Sequence, residues 1–302
     1  MIGVFDSGLG GLTVLKEIIK VLPEYDYMYF GDTLHVPYGN RSDKAIYDLT
    51  KNACDYLFDH GCKLIIIACN TATAKALRKL QQEYLPARNI GTGDLSRSLD
   101  SLGMTGAGVK DRLDKLNILG VIRPVAEEIA RLNNRRVGVI GTRGTVNSEA
   151  YVIELKKLNN ALEITQQACP LLVPMIEEGW MKRKEMKSVL RYYLRPLKHA
   201  QVETLILGCT HYPLLLKQIR SMMGKKCFVP SPGEIVARSL KDYLFRHPEI
   251  VRQRTDSSFG EETALTKNKT RRYLVTDLNN FERIANKFLD NKIELEEVRF
   301  SL

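Results

Sequence analysis

Two cysteines stand where a chain of this kind does chemistry. Cys69 ends the apolar run Leu64 to Ala68 and begins the polar cluster Cys69-Asn70-Thr71. Cys209 ends the run Thr204 to Gly208 and begins Cys209-Thr210-His211. A short, continuous apolar run reads as a strand buried on both faces of a parallel α/β sheet. Open sheets of that type hold their ligands at the carboxyl ends of the strands. The helix-forming run AKALRKLQQEY follows the first cluster closely, so Cys69 is expected at a helix N-terminus, whose N–H groups and dipole would lower its pKa towards the thiolate. A single cysteine there reads first as a small buried hydrophobe. The second occurrence of the pattern turns the reading towards chemistry.

The two cysteines are 140 residues apart, and IGVFDSG at 2–8 is echoed by VGVIGTRGT at 137–145. Two near-equal offsets indicate two similar α/β halves. If the halves face each other, the thiols reach one cleft from opposite sides. Inversion of a carbon centre needs that arrangement, with one group removing a proton from one face and another returning a proton to the opposite face.

The elements that must position these residues can be followed along the chain. Residues 2–8 form a first strand, followed by the glycine-rich turn Gly8-Leu9-Gly10-Gly11 and a helix through Ile19. Such a turn offers backbone N–H groups to an anion. Thr13 replaces the third glycine of a dinucleotide fingerprint, and no acidic residue is placed for a ribose, so a carboxylate site is expected instead. Asp6 and Ser7 end the strand. Tyr27–Gly31 is a second strand, followed by the turn Pro37-Tyr38-Gly39. Ser42 to Phe58 carries helical spacing and stops at His60-Gly61. A strand at 117–122, a helix at about 124–132 and a strand at 136–141 open the second half. Thr142, Thr145 and Ser148 offer hydroxyls either to a carboxylate or to the next helix as caps. Later elements are a helix from Leu214, a short strand around Cys227–Val229, a helix from Glu234 to Arg246, a loop from His247 to Lys269, a strand at 273–277 and a helix over 281–288.

Composition removes several classes. A chain of 302 residues can bury one large or two medium cores. It enters an apolar strand at once, without a basic leader or cleavage site, so no signal peptide is expected. No apolar run approaches the roughly 18 residues of a membrane span. Cys54, Cys62, Cys69, Cys169, Cys209 and Cys227 show neither CxxC spacing nor a histidine framework, which argues against zinc and against a disulfide scaffold. A reduced, cytoplasmic setting follows. The net charge of +10 comes from 45 basic and 35 acidic residues. The basic residues are spread out, with mild clusters at Lys182–Lys187 and Arg246–Arg272 interrupted by acidic ones, so solvated helix faces and attraction of a dianionic substrate are expected ahead of nucleic-acid binding.

The motifs GVFDSGLGGLTVL at 3–15, YFGDTLHVPYGNRS at 29–42, ACNTATA at 68–74, CPLLVPMIEEG at 169–179 and LGCTHYPLL at 207–215 resemble glutamate racemase, within the superfamily of aspartate and hydantoin racemases. The resemblance implies two similar parallel-sheet α/β domains in a pseudo-twofold arrangement, with the active site at their interface. Residues 1–86 with 214–302 would form the first domain, into which 117–213 is inserted as the second. Residues 87–116 depart from the family as an insertion, read as a surface loop. The resemblance further implies cofactor-independent interconversion of L- and D-glutamate for peptidoglycan synthesis, no metal, and a homodimer. Cys69 and Cys209 would exchange the proton, assisted by Asp6 on one side and by His211 with Glu177 on the other. Glu178 is the adjacent alternative to Glu177. Asp6, Ser7, Tyr38, Gly39, Asn70, Thr71, Thr210 and His211 would hold substrate. An aspartate or hydantoin racemase, and a non-catalytic binding relative, are the alternative readings.

Overall fold

The computed structural model describes residues 1–89, 116–250, 269–278 and 293–299. The body of the expected insertion, the helix expected at 281–288 and most of the loop expected after His247 lie outside the described residues.

The first half alternates β1 (Ile2–Asp6), α1 (Leu12–Val21), β2 (Tyr27–Gly31), α2 (Asp43–Asp59), β3 (Leu64–Ile67), α3 (Asn70–Lys75) and β4 (Asn117–Gly120). The second half runs through α4 (Ile122–Ala130), β5 (Arg136–Gly141), α5 (Arg143–Asn147), α6 (Ala150–Leu158), β6 (Glu163–Ala168), α7 (Leu172–Glu177), α8 (Lys184–His199) and β7 (Thr204–Gly208). The chain then passes through α9 (Leu216–Met223) and α10 (Pro232–Arg246) to β8 (Arg271–Val275) and β9 (Glu296–Glu297). Every pairing between these strands is parallel. One sheet has the order β4-β3-β1-β2-β8-β9 and the other β6-β5-β7.

The local strand order repeats. In each half a central strand (β1 or β5) has the next strand in sequence (β2 or β6) on one side and the third (β3 or β7) on the other. Cys69 follows β3 and Cys209 follows β7, so the thiols hold equivalent places in the two sheets. The continuous apolar runs contain a hidden period of two. Leu64 and Ile66 enter one core cluster and Ile65 and Ile67 the other. Tyr27 and Tyr29 divide from Met28 and Phe30 in the same way, because alternate side chains of a strand face opposite ways. The cluster containing Ile2, Val4 and Ile66 also takes in Val137, Val139, Leu205 and Leu207. One core therefore runs through both halves.

Two elements differ from their expected places, and a third was not expected. Asn117–Gly120 pairs with β3, so this strand belongs to the first sheet and not to the opening of the second domain. Its apolar run fits an edge position as well as a new sheet, and only the long-range pairing decides between them. Glu163–Ala168, in the polar stretch EITQQA, is an edge strand with partly exposed residues. Around Cys227–Val229 the expected strand reduces to a single bridge between Thr204 and Phe228. The chain then returns to the first half, where β8 pairs with β2 and α10 packs on α1. Ser42 caps α2 by accepting the Ala45 N–H at 3.2 Å, and Gly61 closes it with φ of 86°. Among the described residues no helix is long and apolar enough to cross a membrane.

Candidate active site

Cys69 is the N-cap of α3. Its Sγ accepts the Ala72 N–H at 3.4 Å and lies 3.2 Å from Ser7 Oγ. The helix end is there, but the expected lowering of the thiol pKa is not. Cys69 is 5 % exposed. Burial, reinforced by the Asp6 carboxylate, pushes the thiol up to about 12 against the bonds from Ser7 and Ala72. Desolvation of a thiolate outweighs a single turn of helix dipole.

Asp6 is fully buried. Its Oδ2 accepts the Gly8 N–H at 3.1 Å and its Oδ1 the Thr210 hydroxyl at 3.2 Å. Burial raises its pKa, opposed by His211 and by bonds from Gly11, Gly8 and Thr210. The glycine-rich turn thus serves the protein's own carboxylate, a correction to the expectation that it would present N–H groups to an outside anion. The glycines have a second use. A Cβ at Gly10 would lie 2.2 Å from Thr210 Oγ1 and 2.6 Å from His211 Nδ1. Only glycine lets the first half come this close to the second.

On the opposite side Cys209 is 6 % and His211 2 % exposed. His211 Nδ1 lies 3.9 Å from Cys209 Sγ, and His211 Nε2 lies 3.1 Å from Glu177 Oε1. Burial alone would depress the imidazole. The hydrogen bonds to Cys209 and Glu177 outweigh it and hold His211 up at about 10. A cationic donor therefore stands beside the second sulfur. Glu177, at the end of α7, is the carboxylate that faces the site, while its neighbour Glu178 is exposed.

Hydroxyl and amide groups fill the wall between the thiols. Thr71 Oγ1 lies 2.9 Å from Thr142 Oγ1 and 3.3 Å from Thr145 Oγ1, and the latter two are 3.1 Å apart. Thr142 also caps α5 by accepting the Thr145 N–H at 3.2 Å, which is the capping use weighed for this hydroxyl. Tyr38 donates its OH to Asp32 Oδ2 at 2.6 Å. Asp32 Oδ1 in turn accepts the Thr276 hydroxyl at 2.9 Å and lies 2.8 Å from His35 Nδ1. Tyr38 therefore turns its hydroxyl away, leaving its ring and Gly39 on the wall.

Ser7, Tyr38, Gly39, Cys69, Asn70, Thr71, Cys209, Thr210 and His211 all line one small cavity, of about 20 Å³, together with Val36, Pro37, Thr142 and Val173. That is room for about one water. Asp6 and Glu177 stand behind the wall, bonded to Thr210 and His211. A larger groove of about 840 Å³ lies between α4 and α10, beside Gly120, Arg123, Leu240 and Arg246, and neither site cysteine reaches it. Among the described residues no His, Cys, Asp or Glu cluster could hold a metal. Sequence reasoning left out Val173 and Asp32. Val173 lies within the quoted run CPLLVPMIEEG and Asp32 just before the Pro-Tyr-Gly turn, which is the signal that could have found them.

Comparison with known proteins agrees with this geometry. A family model described as Asp/Glu/Hydantoin racemase matches residues 110–238. A glutamate racemase of Geobacter metallireducens is 37% identical over 294 residues, covering 97% of this chain and 93% of that protein. A glutamate racemase of Bacillus cereus is 35% identical over 97% of this chain and 94% of that protein. Among solved structures, a glutamate racemase isoform from Bacillus anthracis superposes with a TM-score of 0.80 at 30% identity, covering 99% of this chain and 97% of that one. The Francisella tularensis glutamate racemase in complex with D-glutamate gives 0.76 at 31% identity, covering 98% and 96%. With identity of this order over nearly the whole of both chains, the protein belongs to the glutamate racemase family of amino-acid isomerases.

Proposed function

We propose that this chain interconverts L- and D-glutamate by a two-base proton transfer between Cys69 and Cys209, without a cofactor. The observation that carries the reading is the equivalence of the two thiols. Each follows the same strand of a repeated β-α-β arrangement, each lines the same cavity, and each has an acidic or imidazole partner within the fold. In one direction a thiolate removes the α-proton while the opposite thiol donates one, and the roles exchange in the other. Burial leaves Cys69 as a thiol in the unliganded protein, ready to donate. Cys209 has the protonated His211 beside it. The substrate ammonium would add positive charge between them.

The α-proton of an amino acid is weakly acidic, so the carbanion must be stabilised by a dry, pre-set surround. The Thr71 and Thr142 hydroxyls and the Asn70 amide line the cavity as donors to the carboxylates, while the Thr210 hydroxyl is engaged with Asp6. The cavity is much smaller than glutamate, so substrate enters by movement of one half against the other. The product D-glutamate would feed peptidoglycan synthesis. Six free, buried cysteines and a chemistry that needs two reduced thiols support a reducing cytoplasm.

Proton NMR in D₂O with L- and, separately, D-glutamate tests the reading. Expected is loss of the α-proton signal with formation of the opposite enantiomer, and a fall of several orders of magnitude in Cys69→Ser and in Cys209→Ser. Near-normal turnover by either variant removes the two-thiol mechanism. Inversion of aspartate with glutamate untouched removes the substrate assignment.

A further inference from the structure

Asn70 lines two cavities. One is the site cavity; the other, of about 10 Å³, lies behind it and is bounded by Thr13, Val121, Tyr151, Cys209 and Pro213 among others. Tyr151 borders only the rear cavity. Its OH donates to Asn70 Oδ1 at 2.7 Å, a buried bond from α6 in the second half to α3 in the first. The ring is 1 % exposed and packs beside Gly208, the residue before Cys209, where an added Cβ would meet its Cε2 at 3.0 Å.

The chain takes trouble to place this ring. Between α5 and α6, Glu149 adopts φ of 54°, a conformation that residues with a side chain seldom take up. The turn is held by Ser148, whose hydroxyl donates to Thr145 O at 2.6 Å and accepts the Ala150 N–H at 3.2 Å. The same turn therefore ties the Thr145 backbone carbonyl, in α5, to the start of α6, where Tyr151 is the second residue.

An amide has two different ends, and a carboxylate can use only the N–H end. We infer that Tyr151 is a positioning residue for substrate binding: by holding Asn70 Oδ1 from behind, its hydroxyl fixes the amide so that Nδ2–H₂ is offered to a substrate carboxylate. The inference rests on the proposed role of Asn70 in holding glutamate. Burial pushes the Tyr151 phenol up well beyond its ordinary value, so the hydroxyl remains a donor throughout the working pH range. Without it the amide is free to present its oxygen, which repels a carboxylate. The bond acts on the ground state and the transition state alike, so its loss appears in KM rather than in kcat.

The test is steady-state racemisation in both directions by Tyr151→Phe, Asn70→Ala and the double variant, with thermal melts to confirm folding. Phenylalanine keeps the ring and removes only the hydroxyl. Expected for Tyr151→Phe is a rise of about tenfold in KM for both enantiomers, with kcat within about twofold of the parent. Expected for the double variant is a KM no higher than that of Asn70→Ala. An unchanged KM in Tyr151→Phe overturns the inference. So does a further tenfold rise when Tyr151→Phe is added to Asn70→Ala, since that is the mark of packing alone. An unchanged KM in Asn70→Ala removes the role of Asn70, and the inference with it. That failure is distinguishable because it appears in the single variant that leaves Tyr151 intact.

Discussion

Thr210 Oγ1 donates to Asp6 Oδ1 at 3.2 Å, so the residue after one thiol holds the carboxylate nearest the other. The two sides of the site are mechanically joined at this bond. Asp6 also raises the pKa of Cys69 by charge. Its replacement by asparagine therefore lowers that pKa and increases the thiolate fraction. Asp6→Asn should increase alkylation of Cys69 by iodoacetamide at pH 8 several-fold, read by peptide mass spectrometry. Racemisation should fall by about 10² through loss of the assisting acid/base group. Reactivity and activity moving together would contradict the assignment.

His211 has an ordinary value of 6.5 and is held in the fold at about 10. Protonation thus favours the folded state. The stabilisation is present in full below 6.5, declines as pH rises, and is gone above about 10. Glu177→Gln removes one of the groups that hold the proton. Urea unfolding should find the variant less stable than the parent by about 2 kcal/mol at pH 6.5, with the gap closing towards pH 10. A gap that is constant with pH would show that Glu177 contributes by contact alone.

Gly10 and Gly61 are constrained differently. Gly10→Ala introduces a methyl group against Thr210 and His211, and should reduce kcat/KM by about 10² by misplacing the second thiol's partners. At Gly61, φ is 86° and nothing lies within 4 Å of an added Cβ. Gly61→Ala should cost about 1 kcal/mol of stability through the left-handed backbone and leave turnover unchanged. Melting curves and racemisation assays on the pair separate close approach from backbone strain.

The Asn89 side chain donates to Leu116 O at 3.3 Å and accepts the Leu116 N–H at 3.1 Å. Asn89 and Leu116 are therefore neighbours in space. Arg88, next to it, is paired with Asp55 and Asp59 on α2. Replacing residues 90–115 by a link of about four glycine and serine residues should retain kcat and shift the melting temperature by only a few degrees, since a short link between neighbouring ends costs little closure entropy. Loss of cooperative unfolding would make the segment part of the core.

Much of the site was legible because each half announces its strand ends locally. Apolar runs stopping at Cys69-Asn70-Thr71 and at Cys209-Thr210-His211 need no tertiary information to be read as strands that end in polar clusters. The pKa of Cys69 was not legible. Its helix end is visible in sequence, but the burial that dominates it depends on residues from both halves. Tyr151 and the sheet membership of Asn117–Gly120 were hidden for the same reason: each owes its place to a partner more than thirty residues away, Asn70 or β3. Polar edge strands such as EITQQA lose the alternation that marks a strand, since neither face is fully covered.

The recurrence of one strand order in both halves has a thermodynamic counterpart. Mirror-image amino acids have equal free energies in water, so a catalyst that interconverts them has no downhill direction to exploit. It must leave either hand as easily as it receives the other. On the proposed two-thiol mechanism, duplicating a scaffold supplies matched sulfur atoms for the two faces of one carbon. The remaining difference between the faces then falls to their helpers, a buried carboxylate on one side and an imidazole–carboxylate pair on the other. Any bias between forward and reverse turnover numbers is expected to originate there, offset by an opposite bias in substrate affinity.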